Sequence, residues 1–197
     1  MKIIGLCGGS GAGKGEVCRL FEKYGIPSVD TDAVSRTVMK KGEDCYNEVV
    51  QAFGNEILDE NGEIIRRKLA AIIYEDAEKK HTLEKISHRH IIQYSMKLFE
   101  DFEKNGFDYA IADAPLLFES GMDKICYKTV AVVADEDIRV KRIMMRDSIS
   151  REFALNRIRV QISADELKKR CDFVIYNNTT LEELDEAVRK TAYEIRN

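Results

Sequence analysis

The chain has no tryptophan, only two prolines (Pro27 and Pro115), and no apolar run approaching the length of a membrane span. The last absence argues against a helical membrane protein, and no internal repeat, low-complexity tract or flexible linker interrupts the sequence. Cysteine is sparse and unpatterned: Cys7, Cys18, Cys45, Cys126 and Cys171 are odd in number and never form a C-x-x-C pair, so neither a disulfide framework nor a zinc site is supported. Most read as small core residues. The three histidines, His81, His88 and His90, do not have the H-E-x-x-H spacing of a metal site. Positive charge is not in excess either: a net charge of −4 argues against a surface that coats nucleic acid. Met1 leads straight into an apolar run without the pattern of a signal peptide, and the cytoplasm is the expected compartment. What remains, 197 residues at 44% hydrophobic and 34% charged, is the composition of a soluble globular domain able to bury a substantial core.

The most informative stretch is residues 3–15, where Ile3, Ile4, Gly5, Leu6 and Cys7 feed directly into GGSGAGKG. Glycines there let the backbone turn several N–H groups toward one anion, and Lys14 adds a mobile point charge. Behind the loop, Val17, Leu20, Phe21 and Tyr24 repeat at i, i+3, i+4, i+7 and Gly25 follows as a helix stop. Strand, glycine loop and amphipathic helix in that order are the context of a nucleotide-binding P-loop; a purely structural glycine turn is the alternative. The residue after the lysine is ordinarily Ser or Thr, whose hydroxyl holds Mg²⁺. Here it is Gly15.

Apolar runs at 2–7, 26–30, 107–113, 128–134 and 173–176 read as five strands separated by helical patterns, which predicts an α/β fold with a parallel sheet. The interval 31–106 holds several helical patterns, among them Tyr46, Val49, Val50 and Phe53 as one stripe, an Asn61-Gly62 turn, and a long amphipathic stretch from Leu83 to Phe99. These helices form an insertion that serves either as scaffold or as a cover over a substrate. The last helix is expected to start at the capping box Thr180-x-x-Glu183 and to pack on the sheet.

In an open parallel sheet, ligands collect at the carboxyl ends of strands. The second strand runs into Asp30-Thr31-Asp32, where one aspartate suits helix capping and the other suits orienting or deprotonating an acceptor hydroxyl. The third ends at Asp113, the position of a carboxylate that holds Mg²⁺ directly or through water. Residues 139–159 concentrate Arg139, Lys141, Arg142, Arg146, Arg151, Arg157 and Arg159 against only Asp147 and Glu152. Arg139, Arg142 and Arg146 share one helix side, which suits either a lid over transferring phosphate or a solvated face. Apart from Phe153 no aromatic residue interleaves with them, so a nucleic-acid patch is disfavoured.

Taken together these segments resemble the dephospho-CoA kinase family nearly end to end. GLCGGSGAGKG looks like that family's G-L-T-G-G-x-G-S-G-K-S, and Asp30-Thr31-Asp32 is similar to its D-A-D. FGNEILDENGEIIRRKL resembles F-G-x-x-I-L…D-G-x-x-x-R-x-x-L, placing Arg66 at the family's arginine, and Ala114-Pro115-Leu116-Leu117-Phe118-Glu119 looks like V-P-L-L-F-E. RIMMRD with Arg157-Ile158 and Gln161, and CDFVIYN with Asp172 and Asn177, complete the likeness. The resemblance implies a three-layer P-loop kinase fold: one domain over 1–197, with a core of 1–31 and 105–197, a helical substrate-binding insertion at 32–104 and a lid at about 142–160. It implies ATP and Mg²⁺ as cofactors and dephospho-CoA as the acceptor. Gly11, Ala12, Gly13, Lys14, Gly15 and Glu16 would bind ATP phosphates, with Arg142 and Arg146 closing over them. Asp32 would activate the acceptor, with Lys14 and Arg142 as its catalytic partners. Arg66, His88, Pro115 and Leu116 would contact it. The chain departs from the pattern at Gly15, at Arg89, where the family's H-P pair has proline, and at Asp113, where an apolar residue is usual; Asp113 or Glu16 is the expected substitute for the missing hydroxyl at the metal. A kinase of another small metabolite, or a nucleotide-binding regulatory protein that has lost catalysis, are the competing expectations. The sequence does not specify an oligomeric state.

Overall fold

Alternating apolar runs and amphipathic stretches produce five strands and nine helices along residues 1–197 of the computed structural model. The strands are β1 (Lys2–Cys7), β2 (Ser28–Asp30), β3 (Tyr109–Asp113), β4 (Lys128–Val133) and β5 (Phe173–Tyr176). The helices are α1 (Lys14–Lys23), α2 (Thr31–Val38), α3 (Asp44–Phe53), α4 (Arg66–Glu75), α5 (Ala77–Lys104), α6 (Glu136–Asp147), α7 (Arg151–Arg159), α8 (Ala164–Arg170) and α9 (Leu181–Arg196). The residues group into two units, Met1–Val29 with Phe99–Asn197, and Asp30–Leu98. No helix is long and apolar enough to cross a membrane.

In the first unit the sheet order is β2-β3-β1-β4-β5, and β1 pairs in parallel with both β3 and β4. Strand parity sorts the side chains. Ile4 and Leu6 of β1, Ile111 of β3, Val130 and Val132 of β4 and Ile175 of β5 pack against Val17, Leu20 and Phe21 of α1 and Leu184, Val188 and Ile195 of α9. The alternate residues face the other side, where a Cβ on Gly5 would sit 2.9 Å from both Cys126 Sγ and Leu117 Cδ1. Helices on both faces of a parallel sheet make a three-layer α/β fold.

Two strands begin later than their apolar runs. Ile26 N donates to Phe21 O (3.0 Å) and closes the end of α1 after Gly25, so Ile26 belongs to the helix stop. Phe107 N donates in the same way to Phe102 O (3.1 Å) at the end of α5. The capping box works as expected at its first member: Thr180 Oγ1 accepts from Glu183 N and starts α9.

The second unit is helical. Tyr46, Val49 and Phe53 are the buried stripe of α3, joined in the core by Ile57 and Leu69. Asp59 Oδ1 accepts from Asn61 N (2.9 Å) and Glu63 N (2.8 Å), which fixes the Asn61-Gly62 turn before α4.

Candidate active site

The order of the strands places the end of β1 where successive connections leave toward opposite sides of the sheet, the point at which open α/β folds bind ligands. The loop 8–13 begins there. Gly11 and Gly13 have φ of 78° and 92°, backbone that a side chain would strain, and a Cβ on Gly13 would collide with Asn177 Nδ2. Gly13 caps α1 without a side-chain acceptor, so the first amides of α1 have no partner within the helix and their dipole favours an anion. At the mouth of this cradle the Lys14 ammonium forms an ion pair with Asp113, which follows Ala112 at the end of β3 in register with Leu6. Both side chains are mostly shielded from solvent.

A bracket of side chains drawn from three later segments holds the loop in shape. Ser10 N donates to Gln161 Oε1 (2.9 Å), and Gln161 Nε2 donates to Ser10 Oγ (3.2 Å). Arg139 is buried; its Nε donates to Ser10 O (2.9 Å) and its guanidinium also reaches Gln161 Oε1 (3.2 Å). Buried Asn177, just past β5, donates from Nδ2 to Ala12 O (2.8 Å). Arg142 donates to Gly11 O (3.3 Å), Asn177 O (3.2 Å) and Asn177 Oδ1 (3.3 Å). The three arginines of the α6 stripe therefore differ in depth. Arg139 is locked under the loop, Arg142 lies beside it, and Arg146 is exposed and forked onto Asp147 at 2.8 and 2.9 Å. Arg157 of α7 pairs with the same carboxylate. Arg146 and then Arg157 hold the Asp147 carboxyl down at about 2. The helices α6 and α7 pack through Val140, Ile143, Ala154 and Ile158.

Of the other residues singled out from sequence, Pro115 and Leu116 line a small cavity of about 60 Å³ together with Cys7, Gly8 and Gly9. Glu16 pairs with Arg19 (2.9 Å). Gly15 is exposed, with nothing within 4 Å of where a Cβ would stand.

In the second unit Asp30 Oδ1 accepts from Asp32 N (2.8 Å) and Ala33 N (3.0 Å), so Asp30 is the cap of α2 and Asp32 sits in its first turn. Arg66, at the start of α4, lines a cleft of about 400 Å³ with Ser35, Arg36, Met39, Lys40, Glu63 and Ile64. His88 lies half-buried on α5. His90 meets Glu48 at 3.0 Å, and Arg89 pairs with the same carboxylate. The roles of Arg139, Gln161 and Asn177 as loop brackets were not evident from sequence, because their contacts span 22 to 165 positions; the sequence marked Arg139 only by its place on the arginine helix, and Gln161 and Asn177 only as residues of the family resemblance.

A glycine cradle and a lysine at the switch point of a parallel sheet, bracketed by an arginine helix, define the P-loop kinase class. Within that class the chain belongs to the dephospho-CoA kinase family, whose pattern matches residues 2–183. It is 40% identical over 189 residues to the dephospho-CoA kinase of Oryza sativa subsp. japonica, covering 94% of this chain and 81% of that protein. It is 39% identical to the dephospho-CoA kinase of Fusobacterium nucleatum subsp. nucleatum, covering 95% of each. The crystal structure of TT1252 from Thermus thermophilus superposes with a TM-score of 0.82 at 32% identity, over 98% of this chain and 97% of that one. A shikimate kinase from Bacteroides thetaiotaomicron, at 11% identity and a TM-score of 0.56 over 100% of this chain and 99% of that one, shares the fold.

Proposed function

We propose that the protein transfers the γ-phosphoryl group of ATP to the ribose 3′-hydroxyl of dephospho-CoA, giving coenzyme A and ADP. The observation that carries the acceptor is the family match running from residue 2 to residue 183, through both units, because a P-loop by itself says nothing about what it phosphorylates. The loop supplies the donor side. Amides of residues 11–16 and the Lys14 ammonium take the ATP phosphates, with Lys14 exchanging Asp113 for phosphate oxygen when nucleotide arrives. Arg142, already beside Gly11 and Asn177, would take the γ-phosphate, and Arg146 would join it by leaving Asp147. The Asp32 carboxylate orients the 3′-hydroxyl and accepts its proton as the oxygen bonds to γ-phosphorus and the bond to the β–γ bridging oxygen breaks. The cleft containing Arg36, Lys40 and Arg66 offers three cationic side chains to the acceptor's pyrophosphate, and Pro115, Leu116 and His88 contribute further acceptor contacts.

The donor set fits Mg²⁺ held by one protein carboxylate. Asp113 is a hard oxygen donor beside the phosphate cradle, Gly15 brings no oxygen, and Mg²⁺ commonly takes one or two carboxylates with phosphates and water completing its shell. Held by Asp113, Mg²⁺ would supply neutralisation of the phosphate charge. The five unbridged cysteines suit the reducing cytoplasm, where we place the reaction.

The assignment of Asp32 is tested by Asp32→Asn. Turnover is expected to fall by at least about 10²-fold, as loss of a positioned proton acceptor does, while the affinity for ATP in a direct binding titration stays within error. Unchanged turnover would take Asp32 out of this role.

A further inference from the structure

Cys7 and Cys171, 164 positions apart, meet with their Sγ atoms 3.5 Å from each other. Cys7 ends β1 and is the residue immediately before the phosphate loop; Cys171 links α8 to β5. Cys7 is 1% exposed, while Cys171 is half-buried. The cavity beside Gly8, Gly9, Gln161 and Leu167 is lined by Cys7 as well, so this thiol sits at the wall of a small open space next to the loop. The two thiols are not equivalent. Hydrogen bonding to Cys171 and burial push the Cys7 thiol up, whereas the Cys7 hydrogen bond holds the Cys171 thiol below its ordinary value against the effect of burial. Burial pushes Cys45 up to about 11 and Cys126 up to about 12, and raises Cys18 as well, so Cys171 is the thiol held below its ordinary value.

We propose that Cys7 and Cys171 are a thiol–disulfide site whose oxidation by a low-molecular-weight disulfide turns down nucleotide binding at the adjacent loop. The Cys171 thiolate attacks one sulfur of the small disulfide, forming a mixed disulfide and releasing one small thiolate. Cys7 then gives up its proton and attacks Cys171 Sγ, releasing the second small thiolate and leaving the Cys7–Cys171 bond. Two protein thiols are oxidised, and one small disulfide is reduced to two thiols. Closing the pair from 3.5 Å to a bond of about 2.05 Å pulls on Cys7. The pull passes to Gly8 and Gly9, which are tightly seated. The Cβ position of Gly8 is 2.6 Å from Val132 O, and Gly9 lies against the Arg139 guanidinium that fixes Ser10. The loop entry is therefore displaced from its bracket, and a phosphate cradle misplaced by about 1 Å loses much of its function.

The effect on ATP rests on the P-loop reading above; the disulfide does not. The protein is equilibrated across ratios of oxidised to reduced glutathione, free thiols are trapped with iodoacetamide, and peptides are mapped by mass spectrometry. The expected map links the Cys7 peptide to the Cys171 peptide and shows Cys18, Cys45 and Cys126 alkylated after unfolding. ATP binding is expected to weaken by at least about tenfold in the linked form and to return with dithiothreitol. Cys171→Ala, and Cys7→Ala should the first variant fold poorly, bind ATP equally under both conditions. Full alkylation of Cys7 and Cys171 at oxidising ratios would overturn the proposal, as would a linked protein that binds ATP like the reduced one. Absence of ATP binding by the reduced protein would overturn the P-loop reading and the affinity effect with it, while the peptide map decides the disulfide independently.

Discussion

Gly15 is the residue at which this chain differs most from an ordinary P-loop, and its surroundings show that the difference is chemical, with no steric cause. No atom lies within 4 Å of a Cβ built there, and its φ is not in the left-handed region. Gly15→Ser is therefore expected to fold normally. Serine is a better helix residue than glycine by about 0.5 kcal/mol, so denaturant unfolding should show a gain of that order. The new hydroxyl should also lower the Mg²⁺ concentration that gives half-maximal activity. An unchanged Mg²⁺ dependence would show that the metal is not held from this side of the loop. The glycine itself was legible in the sequence, and so was a helix cap within Asp30-Thr31-Asp32, which the structure gives to Asp30. The Lys14–Asp113 pair was not, because nothing in either segment states that β3 lies beside β1.

At the scale of elements, α6 shows what periodicity can and cannot deliver. Spacing puts Arg139, Arg142 and Arg146 on one side of the helix, but it does not say how far along that side the neighbouring loop extends. The loop covers Arg139, touches Arg142 and stops short of Arg146. Asn177 closes the same bracket from β5, and Asn177→Ala leaves the buried Ala12 carbonyl without its donor. A loss of about 1–3 kcal/mol in thermal or denaturant unfolding is expected, together with a raised KM for ATP. Thr180→Ala is the contrasting case, costing about 1 kcal/mol through the lost cap of α9 with kcat and KM unaltered. Equal KM in the two variants would show that Asn177 only supports the fold. The α6–α7 hairpin also carries a pH signature. The folded pKa of Asp147 is depressed to about 2 by Arg146 and Arg157, below its unfolded value near 3.8. Its contribution to stability is therefore fully present above the unfolded value and lost as pH falls from about 4 to about 2. Asp147→Asn should flatten that part of the acid-unfolding curve, measured by circular dichroism. A curve parallel to that of the parent protein would contradict the pairing.

At the scale of the whole molecule, the strands were the most legible feature because each is a short apolar run bounded by turn residues. The two that start late do so where a helix stop claims the first residues, Ile26 after Gly25 and Phe107 after Gly106. What the sequence could not show is the joining of Ser10, Ala12, Arg139, Gln161 and Asn177 into one bracket, a property of the sheet order that brings the ends of β1, β4 and β5 together. That bracket shapes the glycine loop, and the family match carries the acceptor. The measurement that tests the two together is ADP formation from ATP and Mg²⁺, with dephospho-CoA, adenosine or shikimate as acceptor or with none. Release of ADP that depends on dephospho-CoA, with background rates for the other acceptors, is the predicted result. Measurable ATP binding without ADP formation from any acceptor would contradict it, and would make the chain a nucleotide-binding protein that no longer transfers phosphate.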